Sequence, residues 1–341
     1  MTIGVAVVGY GYWGVNLARN VAAASTTELV GIADPGSDRR ELAAVNHPGV
    51  VCWDTLDGAL ADERVSAVVL ATPASTHVDL ALASMEAGRD VLVEKPLAET
   101  SADAAKLCDV AADRGRILMV GHTFLYSPPV LRLKELIAEG DLGAVQYLYS
   151  QRLSLGRIRR DCNALWNFAP HDVSIMLHLL DEPVMEVTAK GFSFIEPGID
   201  DVCFASLTFA SGVGANLHVS WIDPRKTRLM TVVGDEKMAI YNDTSVDQPL
   251  WLVDSGVARD REFGAYESMS DFQWRTRAGD ILIPRIEMSE PLRHEVTAFG
   301  DACATRVPPR TDGAHGLDVV RVLEAIDRSA GAGGRPVEVD R

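Results

Sequence analysis

A short apolar run that leads into three spaced glycines constrains the fold of this chain more than any other feature. Residues 3–8 read Ile-Gly-Val-Ala-Val-Val, which is typical of a strand covered on both faces in a parallel sheet. Gly9, Gly11 and Gly14 follow, and residues 15–24 have the composition and spacing of a helix. This order predicts the first turn of a dinucleotide-binding fold.

Each glycine has a steric task in such a turn. Gly9 permits the tight turn, Gly11 lets the backbone approach a pyrophosphate, and Gly14 lets the helix pack closely on the strand. The N-terminus of the same helix attracts the anion. The next apolar run ends in Asp34, 20 residues after Gly14. A carboxylate there accepts both ribose hydroxyls of NAD and repels the 2′-phosphate of NADP. The sequence therefore predicts NAD as the cofactor, the alternative being that the glycines serve only a tight turn.

Strand and helix patterns alternate up to about residue 121. Strands are predicted over residues 65–71, 90–94 and 117–121, and helices over residues 76–87 and 101–114. This alternation predicts a doubly wound parallel sheet, in which ligands bind outside the carboxyl ends of the strands. The candidate cofactor contacts at these strand ends are Tyr12, Trp13, Thr72, Pro73, His77, Glu94 and Lys95.

Several of these side chains have a competing interpretation. His77 is either a cofactor contact or a histidine at a helix start that faces solvent. Lys95 stands between an acid and a proline at the end of a buried strand, which favours an ammonium aimed at a substrate hydroxyl over a simple salt bridge. Tyr12 and Trp13 either stack on the nicotinamide or a sugar, or only pack.

The chain changes character from Val145 onwards, where longer strand patterns are separated by turn-forming residues. This pattern predicts a large, mostly antiparallel sheet with helices over residues 169–180, 291–304 and 316–329. The strands are predicted over residues 145–153, 184–195, 202–209, 214–221, 229–234, 238–242 and 250–253. Helices on one face of this sheet leave its other face uncovered. We therefore expect that face to be buried in a homodimer or homotetramer.

Charge and cysteine content exclude several classes of partner. The formal net charge of -16 repels a phosphate backbone, so nucleic acid is not an expected partner. The five cysteines form no CxxC pair and no cluster at zinc spacing, so neither a disulfide framework nor a metal site is expected. No basic leader and no apolar run of about 20 residues occurs, which predicts a soluble, cytoplasmic protein without a membrane partner.

Motifs of the first third resemble the Gfo/Idh/MocA oxidoreductases, named for glucose-fructose oxidoreductase, inositol dehydrogenase and MocA. They are Gly-Tyr-Gly-Tyr-Trp-Gly at 9–14, Ala-Thr-Pro at 71–73 with His77, Glu-Lys-Pro at 94–96 and Gly-His at 121–122. The resemblance implies an α/β chain with an NAD-binding Rossmann domain at 1–121 and an α+β substrate-binding and oligomerisation domain at 122–341. It also implies a Lys95 that reaches the reacting carbon and a cis bond between Lys95 and Pro96.

Two later segments resemble the branch of this family that acts on sugar nucleotides, notably the 3-dehydrogenases of UDP-N-acetylglucosamine or its uronate. They are residues 156–161 and 165–172. The resemblance implies that His171 is the acid/base, that Lys95 is its partner, and that Asp172 orients it or binds substrate. Many family members carry an aspartate where this chain has Asn167, which puts a proton relay through that position in doubt.

Four arginines lie close together in this acidic chain, with no acid between them. Because the planar guanidinium of arginine donates paired hydrogen bonds to phosphate or carboxylate, these residues predict a site for a diphosphate or uronate. The alternative is a solvated loop whose arginines pair with surface acids such as Asp161. The four are Arg152, Arg157, Arg159 and Arg160, and the last three complete the expected substrate-binding set with Lys95, Asn167, His171 and Asp172.

Three functions stay open at this point. The first is an NAD-dependent dehydrogenase or ketoreductase that acts on a sugar or sugar nucleotide. The second is a free-polyol enzyme of the inositol dehydrogenase type, which needs fewer cations near its substrate. The third is a regulator that binds NAD without turnover, which Lys95 and His171 argue against.

Overall fold

The computed structural model describes residues 2–156, 158–258 and 275–340. Arg157, one of the predicted substrate contacts, lies outside the described residues. The chain divides into two compact units. The first unit contains residues 1–127, 289–324 and 340–341, and the second contains residues 128–288 and 325–339.

The first unit is built on a six-stranded sheet whose neighbouring strands all run parallel. Its strands are β1 (Ile3–Val8), β2 (Thr27–Ala33), β3 (Val51–Trp53), β4 (Ala67–Leu70), β5 (Asp90–Glu94) and β6 (Leu118–Gly121). Its first helices are α1 (Gly14–Ala23), α2 (Ser37–Asn46), α3 (Leu56–Leu60), α4 (His77–Glu86) and α5 (Ser101–Asp113), with short 3-10 helices η1 (Ala74–Thr76) and η2 (Thr123–Tyr126).

The strand order of this sheet, β3-β2-β1-β4-β5-β6, reverses direction between β1 and β4. Both β1 and β4 are almost wholly buried and rich in valine, as a strand with helices on both faces must be. A reversal of this kind places the ligand crevice outside the carboxyl ends of the central strands. The predicted doubly wound Rossmann sheet is confirmed.

A later segment of the chain returns to the first unit. Residues 289–324, which the family resemblance assigns to the second domain, contain α8 (Pro291–Thr305) and the start of α9 (Gly313–Gly331). Arg19 on α1 donates to Glu290 (3.1 Å), and Phe299 is fully buried. Gly300 permits the close approach of α8, because a Cβ there would lie 2.4 Å from Oγ1 of Thr26. The apolar face of α8 is therefore buried in this unit, which the local sequence pattern does not reveal.

The second unit is built on a nine-stranded sheet in the order β14-β13-β12-β11-β7-β10-β9-β8-β15. Neighbouring strands are antiparallel except β7 and β10, so the predicted large, mostly antiparallel sheet is confirmed. Its strands are β7 (Val145–Leu155), β8 (Val184–Phe192), β9 (Val202–Phe209), β10 (Gly214–Ser220), β11 (Ile222–Gly234), β12 (Met238–Asn242), β13 (Leu250–Ala258), β14 (Arg275–Leu282) and β15 (Val337–Glu338).

Two helices, α6 (Pro128–Ala138) and α7 (Ala164–Leu180), pack against this sheet. Along β9 the side chains alternate, with Ala205 and Leu207 buried while Phe204 and Ser206 are exposed. Strand β11 begins earlier than its predicted start at residue 229, because proline and charged residues in its first half hide the strand pattern. No helix in the described ranges is both long and apolar enough to cross a membrane.

Candidate functional site

The glycine turn after β1 has the geometry that its three glycines predict. Gly9 has a φ of 90°, and a Cβ there would lie 2.6 Å from the carbonyl oxygen of Ala71. A Cβ on Gly14 would lie 2.0 Å from the carbonyl oxygen of Gly9, so the start of α1 can approach the turn only without a side chain. Gly11 has no atom within 4 Å of its Cβ position, and the first turn of α1 has no acidic residue. These features fit a pyrophosphate.

The carboxylate of Asp34 is fixed at the end of β2 by two backbone groups. Its Oδ2 accepts from the N–H of Tyr10 (2.6 Å), and its Oδ1 accepts from the N–H of Gly36 (2.8 Å). Arg40 donates to the backbone oxygens of Asp34 and Pro35 and not to the Asp34 carboxylate. The glycine turn and Asp34 together fit the adenosine half of NAD.

We expect the wild-type protein to bind NADH more tightly than NADPH, and Asp34→Ala to remove most of that preference. A charged hydrogen bond contributes about 1.5–3 kcal/mol, so NADH affinity should fall by about tenfold or more in the variant. Fluorescence titration with both nucleotides measures this. Asp38→Ala, which removes an exposed acid of α2, is the matched control and should leave both affinities unchanged. Equal or tighter binding of NADPH by the wild type would refute the assignment.

Glu94 connects the glycine turn to Lys95 at the end of β5. The indole N–H of Trp13 donates to Oε1 of Glu94, and the backbone N–H of Lys95 donates to Oε2 (3.3 Å). Gly121 leaves room for this carboxyl, because a Cβ there would lie 3.1 Å from its Cδ. Burial raises the pKa of Glu94 to about 7, against the opposing effect of the Lys95 charge. The peptide bond between Lys95 and Pro96 is cis, which confirms the implication of the resemblance.

His77 lies in the interior, between two loops at the same sheet edge. Its Nδ1 lies 2.8 Å from the carbonyl oxygen of Pro96, and its Nε2 lies 3.0 Å from that of Thr72. Burial lowers the pKa of His77 and favours the neutral ring. The alternative of a solvent-facing histidine is wrong. Because both ring nitrogens face backbone oxygens, direct contact with the cofactor is not supported either. The neutral ring has one N–H and donates to only one of the two carbonyl oxygens.

His171 lies in the second unit, on α7. This helix begins at Ala164, where the side chain of Asn163 accepts from the N–H of Trp166 (3.0 Å), and it continues through Pro170. His171 therefore lies two turns inside the helix. The predicted start of this helix at residue 169 is wrong. The positive end of the helix dipole therefore lies too far from His171 to act on its protonation, because that effect is confined to the first turn. Asn167 lies one turn before His171 on the same face.

Asp172 and Arg152 form a buried ion pair between α7 and β7. Nε of Arg152 lies 2.6 Å from Oδ2 of Asp172, and Nη2 lies 3.3 Å from Oδ1. The Arg152 side chain is 6% exposed and the Asp172 side chain is 3% exposed. Because both carboxylate oxygens face Arg152 and the Asp172 side chain is almost wholly buried, a role of Asp172 in binding substrate is not supported. Arg152 is likewise part of the interior and not of an exposed cationic loop.

The exposed arginines of the loop after β7 are paired with acids. Nε of Arg159 donates to Asp161 (2.9 Å), and Nε of Arg160 donates to Glu196 (3.1 Å). The described arginines of the predicted cluster thus all have a carboxylate partner, as the alternative of arginines paired with acids predicts. These two pairs are exposed, unlike the buried pair of Arg152.

Two buried titratable groups of the first unit are not among the predicted site residues. Glu295 on α8 receives a hydrogen bond from Oγ1 of Thr123 (2.9 Å), although 172 residues separate them in the chain. His122, directly after β6, is 1% exposed, and its ring lies 5.4 Å from that of His315, edge to face. No local signal distinguishes Glu295 from a surface acid, because its burial depends on the return of α8 to the first unit.

Comparison with known proteins identifies the family. Residues 3–122 match the family model described as "Oxidoreductase family, NAD-binding Rossmann fold", and residues 130–240 match the "GFO/IDH/MocA C-terminal domain". The chain belongs to the Gfo/Idh/MocA family. It is an NAD-binding oxidoreductase, which confirms the predictions of family, enzyme class and cofactor.

The chain is similar to several named proteins. Inositol 2-dehydrogenase 2 of Saccharopolyspora erythraea is 28% identical over 226 residues, or 64% of this chain and 67% of the relative. UDP-N-acetylglucosamine 3-dehydrogenase of Acidithiobacillus ferrooxidans is 29% identical over 236 residues, or 68% and 72% of the two chains. The solved structure of GenD2 from gentamicin A biosynthesis, in complex with NAD, is 28% identical with a TM-score of 0.81, and the match covers 100% of this chain and 97% of GenD2.

Proposed function

We propose that this chain transfers a hydride between NAD and a secondary alcohol or ketone of a sugar, and that the substrate is a nucleotide sugar reacting at position 3. UDP-N-acetylglucosamine and its uronate are the first candidates. The observation that carries the proposal is the end of β5, where Glu94 joins the glycine turn to Lys95. The 29% identity to a UDP-N-acetylglucosamine 3-dehydrogenase supports the substrate class.

The roles of the side chains follow from the chemistry of alcohol oxidation. Bound NAD supplies the acceptor for the hydride at carbon 4 of its nicotinamide. The hydroxyl proton goes to the imidazole of His171, and the ammonium of Lys95 stabilises the negative charge that develops on the oxygen. The C–H and O–H bonds break while the C=O bond forms. Asn167 cannot carry a proton as an aspartate would, so His171 works without a carboxylate at that position.

We assign the arginine loop to the anionic group of the substrate. An exposed ion pair contributes only about 0–1 kcal/mol, whereas a charged hydrogen bond to a phosphate contributes about 1.5–3 kcal/mol. A diphosphate can therefore replace Asp161 and Glu196 as the partners of Arg159 and Arg160 at a net gain. Arg157 belongs to the same proposal by its sequence position.

We expect Arg159→Ala and Arg160→Ala each to raise the KM for a nucleotide sugar by about tenfold, while kcat changes less. Steady-state kinetics at low and high salt measure this, and rising salt should weaken the wild type more than the variants. Arg132→Ala is the matched control, because Arg132 is also ion-paired in the second unit, with Glu135. An unchanged KM in both loop variants would remove the diphosphate from the proposal.

A second candidate is a dehydrogenase of inositol or another free sugar. The pairing of Arg159 with Asp161 and of Arg160 with Glu196 favours it, because a neutral polyol needs no free cation. Inositol 2-dehydrogenase 1 of Saccharopolyspora erythraea is 27% identical over 100% of this chain and 97% of its own length. A panel of nucleotide sugars and polyols with NAD separates the two candidates, and binding of NAD without any turnover would favour a regulator.

We further propose that the chain forms a homodimer or homotetramer through the open face of the nine-stranded sheet. Tyr147 and Tyr149 stack on that sheet with centroids 6.4 Å apart, and Phe192 and Phe204 lie edge to face at 6.2 Å. Exposed aromatic groups of this kind favour burial against another surface. Light scattering should show an oligomer that Phe204→Asp weakens, while Ser206→Asp on the same strand weakens it less. A wild-type monomer would contradict this proposal.

A further inference from the structure

Glu295 is a buried carboxyl that the proposed chemistry does not use. Glu295 is 0% exposed, and its Oε2 accepts a hydrogen bond from the hydroxyl of Thr123 (2.9 Å). Its Oε1 is buried and has no hydrogen-bond partner among the residues that the structure describes. Within the same residues no ion pair includes Glu295. A buried carboxylate without a cation is costly, and such a group neutralises itself by taking up a proton.

The charged and titratable groups around Glu295 reinforce this neutral state. Glu94 at the end of β5 acts on it by like-charge repulsion, and Tyr126 of η2 is electrostatically coupled to it. On α1, Arg19 is already bonded to Glu290, and β1 and β2 contribute only the exposed Glu28. Burial and the charge of Glu94 raise the pKa of Glu295 well above its usual range, which the Thr123 bond only partly offsets.

His122 does not supply the missing positive charge. It precedes Thr123 in the chain, and both of its ring nitrogens are buried without a hydrogen-bond partner in the described part of the chain. Burial, His315 and the Lys95 charge together hold the pKa of His122 well below its ordinary value. The imidazole is therefore neutral and supplies no positive charge to Glu295. The Lys95 charge acts instead on Glu94, whose pKa it lowers against the effect of burial.

We propose that Glu295 is a positioning residue for Lys95: it stays protonated in the folded chain, holds the Thr123 turn in place, and leaves Glu94 as the carboxylate that balances the lysine. This inference rests on the proposed function, because it takes Lys95 as the reacting lysine. Two carboxyls that repel one another do not both ionise readily. A protonated Glu295 thus adds no repulsion to a negative charge on Glu94, where the indole of Trp13 and the backbone of Lys95 bind it.

Infrared difference spectroscopy tests the proton directly. In mildly alkaline buffer, the wild type minus Glu295→Gln should show the C=O stretching band of a protonated carboxyl. Glu290→Gln is the matched control, since Glu290 precedes the same helix, is paired with Arg19 and has a lowered pKa. Its difference spectrum should show carboxylate bands only. Carboxylate bands alone in the Glu295→Gln difference would overturn the proposal.

The pH dependence of unfolding supplies a second readout. A carboxyl whose pKa is raised in the folded state stabilises the fold at low pH, and this contribution is lost as pH rises above the ordinary value of 4.5. We therefore compare the equilibrium constant for unfolding of the wild type with that of Glu295→Gln. Their ratio should rise by up to about tenfold per pH unit above that value. A ratio that does not change with pH would contradict a protonated Glu295.

Turnover tests the positioning role. Glu295→Gln, a neutral side chain that still accepts from Thr123, should keep kcat within about twofold of the wild type, whereas Glu295→Ala should lower kcat by about tenfold with NADH affinity retained. An equal loss in both variants would mean that a neutral group does not suffice, which overturns the proposal. If the wild type turns over no sugar at all, the proposed function fails, while the infrared band still reports on the proton of Glu295.

Discussion

Replacing Lys95 with alanine is expected to lower turnover by about a hundredfold to a thousandfold, the usual loss when a group that stabilises a developing oxyanion is removed. NADH affinity should stay within about twofold, because the proposed role of the ammonium is toward the reacting oxygen. The Lys95 side chain takes part neither in the bond from Tyr10 to Asp34 nor in the bond from Trp13 to Glu94. Steady-state kinetics and a fluorescence titration with NADH measure the two quantities.

The control for this variant is another lysine of the same unit. Lys106 is exposed on α5, and Lys106→Ala should change neither quantity. Lys95→Arg keeps the charge but replaces a compact ammonium with a planar fork, so it should recover only part of the lost turnover. Near-normal turnover in Lys95→Ala would remove Lys95 from the mechanism.

Replacing His171 with alanine is expected to lower kcat by about a hundredfold to ten-thousandfold, as for a general acid/base. Oxidation by the wild type should accelerate with rising pH as a histidine base loses its proton, and the variant should lose that dependence. Added imidazole should restore part of the rate only in the variant. The pH profile of kcat, measured for both proteins, checks these expectations.

A second histidine of α7 provides the comparison. His178 lies two turns after His171 on the same helix, and His178→Ala should keep the wild-type pH profile even if it lowers stability. If His171→Ala retains the turnover of the wild type and the fall of kcat at low pH, the proton acceptor of the reaction is a different group.

The features that the sequence predicts well are those set by neighbouring residues. The strand, the three glycines and the helix up to residue 24 form one local pattern, and the distance to Asp34 follows from the length of a single helix and strand. The alternation of strands and helices behind it determines the doubly wound sheet. The parallel sheet of the first unit is predictable from the sequence for this reason, whereas the return of α8 to that unit is not.

The start of α7 shows how a local signal fails. Pro170 lacks a backbone N–H, which favours a helix that starts beside it. In the structure the helix begins six residues earlier, at Ala164, and Leu165 and Ala169 are buried in the second unit. Packing of these apolar side chains outweighs the missing hydrogen bond, and it moves His171 from a helix end to a helix interior.

Ion pairing was predictable only at short range. Arg159 and Asp161 are two residues apart, and the sequence already offers that pair as an alternative. Arg152 and Asp172 are 20 residues apart, and Arg160 and Glu196 are 36 apart, so their pairing depends on how strands and loops meet. The apparent excess of positive charge at Arg152, Arg159 and Arg160 follows from the order of residues in the chain, because each of the three has a carboxylate partner in the structure.

The most direct test of the central claim is hydride transfer itself. The purified full chain is incubated with NAD and, one at a time, with nucleotide sugars, inositols and other free sugars, and the formation of NADH is followed. We predict NADH formation with a UDP-linked N-acetylglucosamine or its uronate, and its loss in Lys95→Ala. NAD binding without NADH formation from any of these compounds, and without NADH oxidation by the corresponding ketones, would contradict the account.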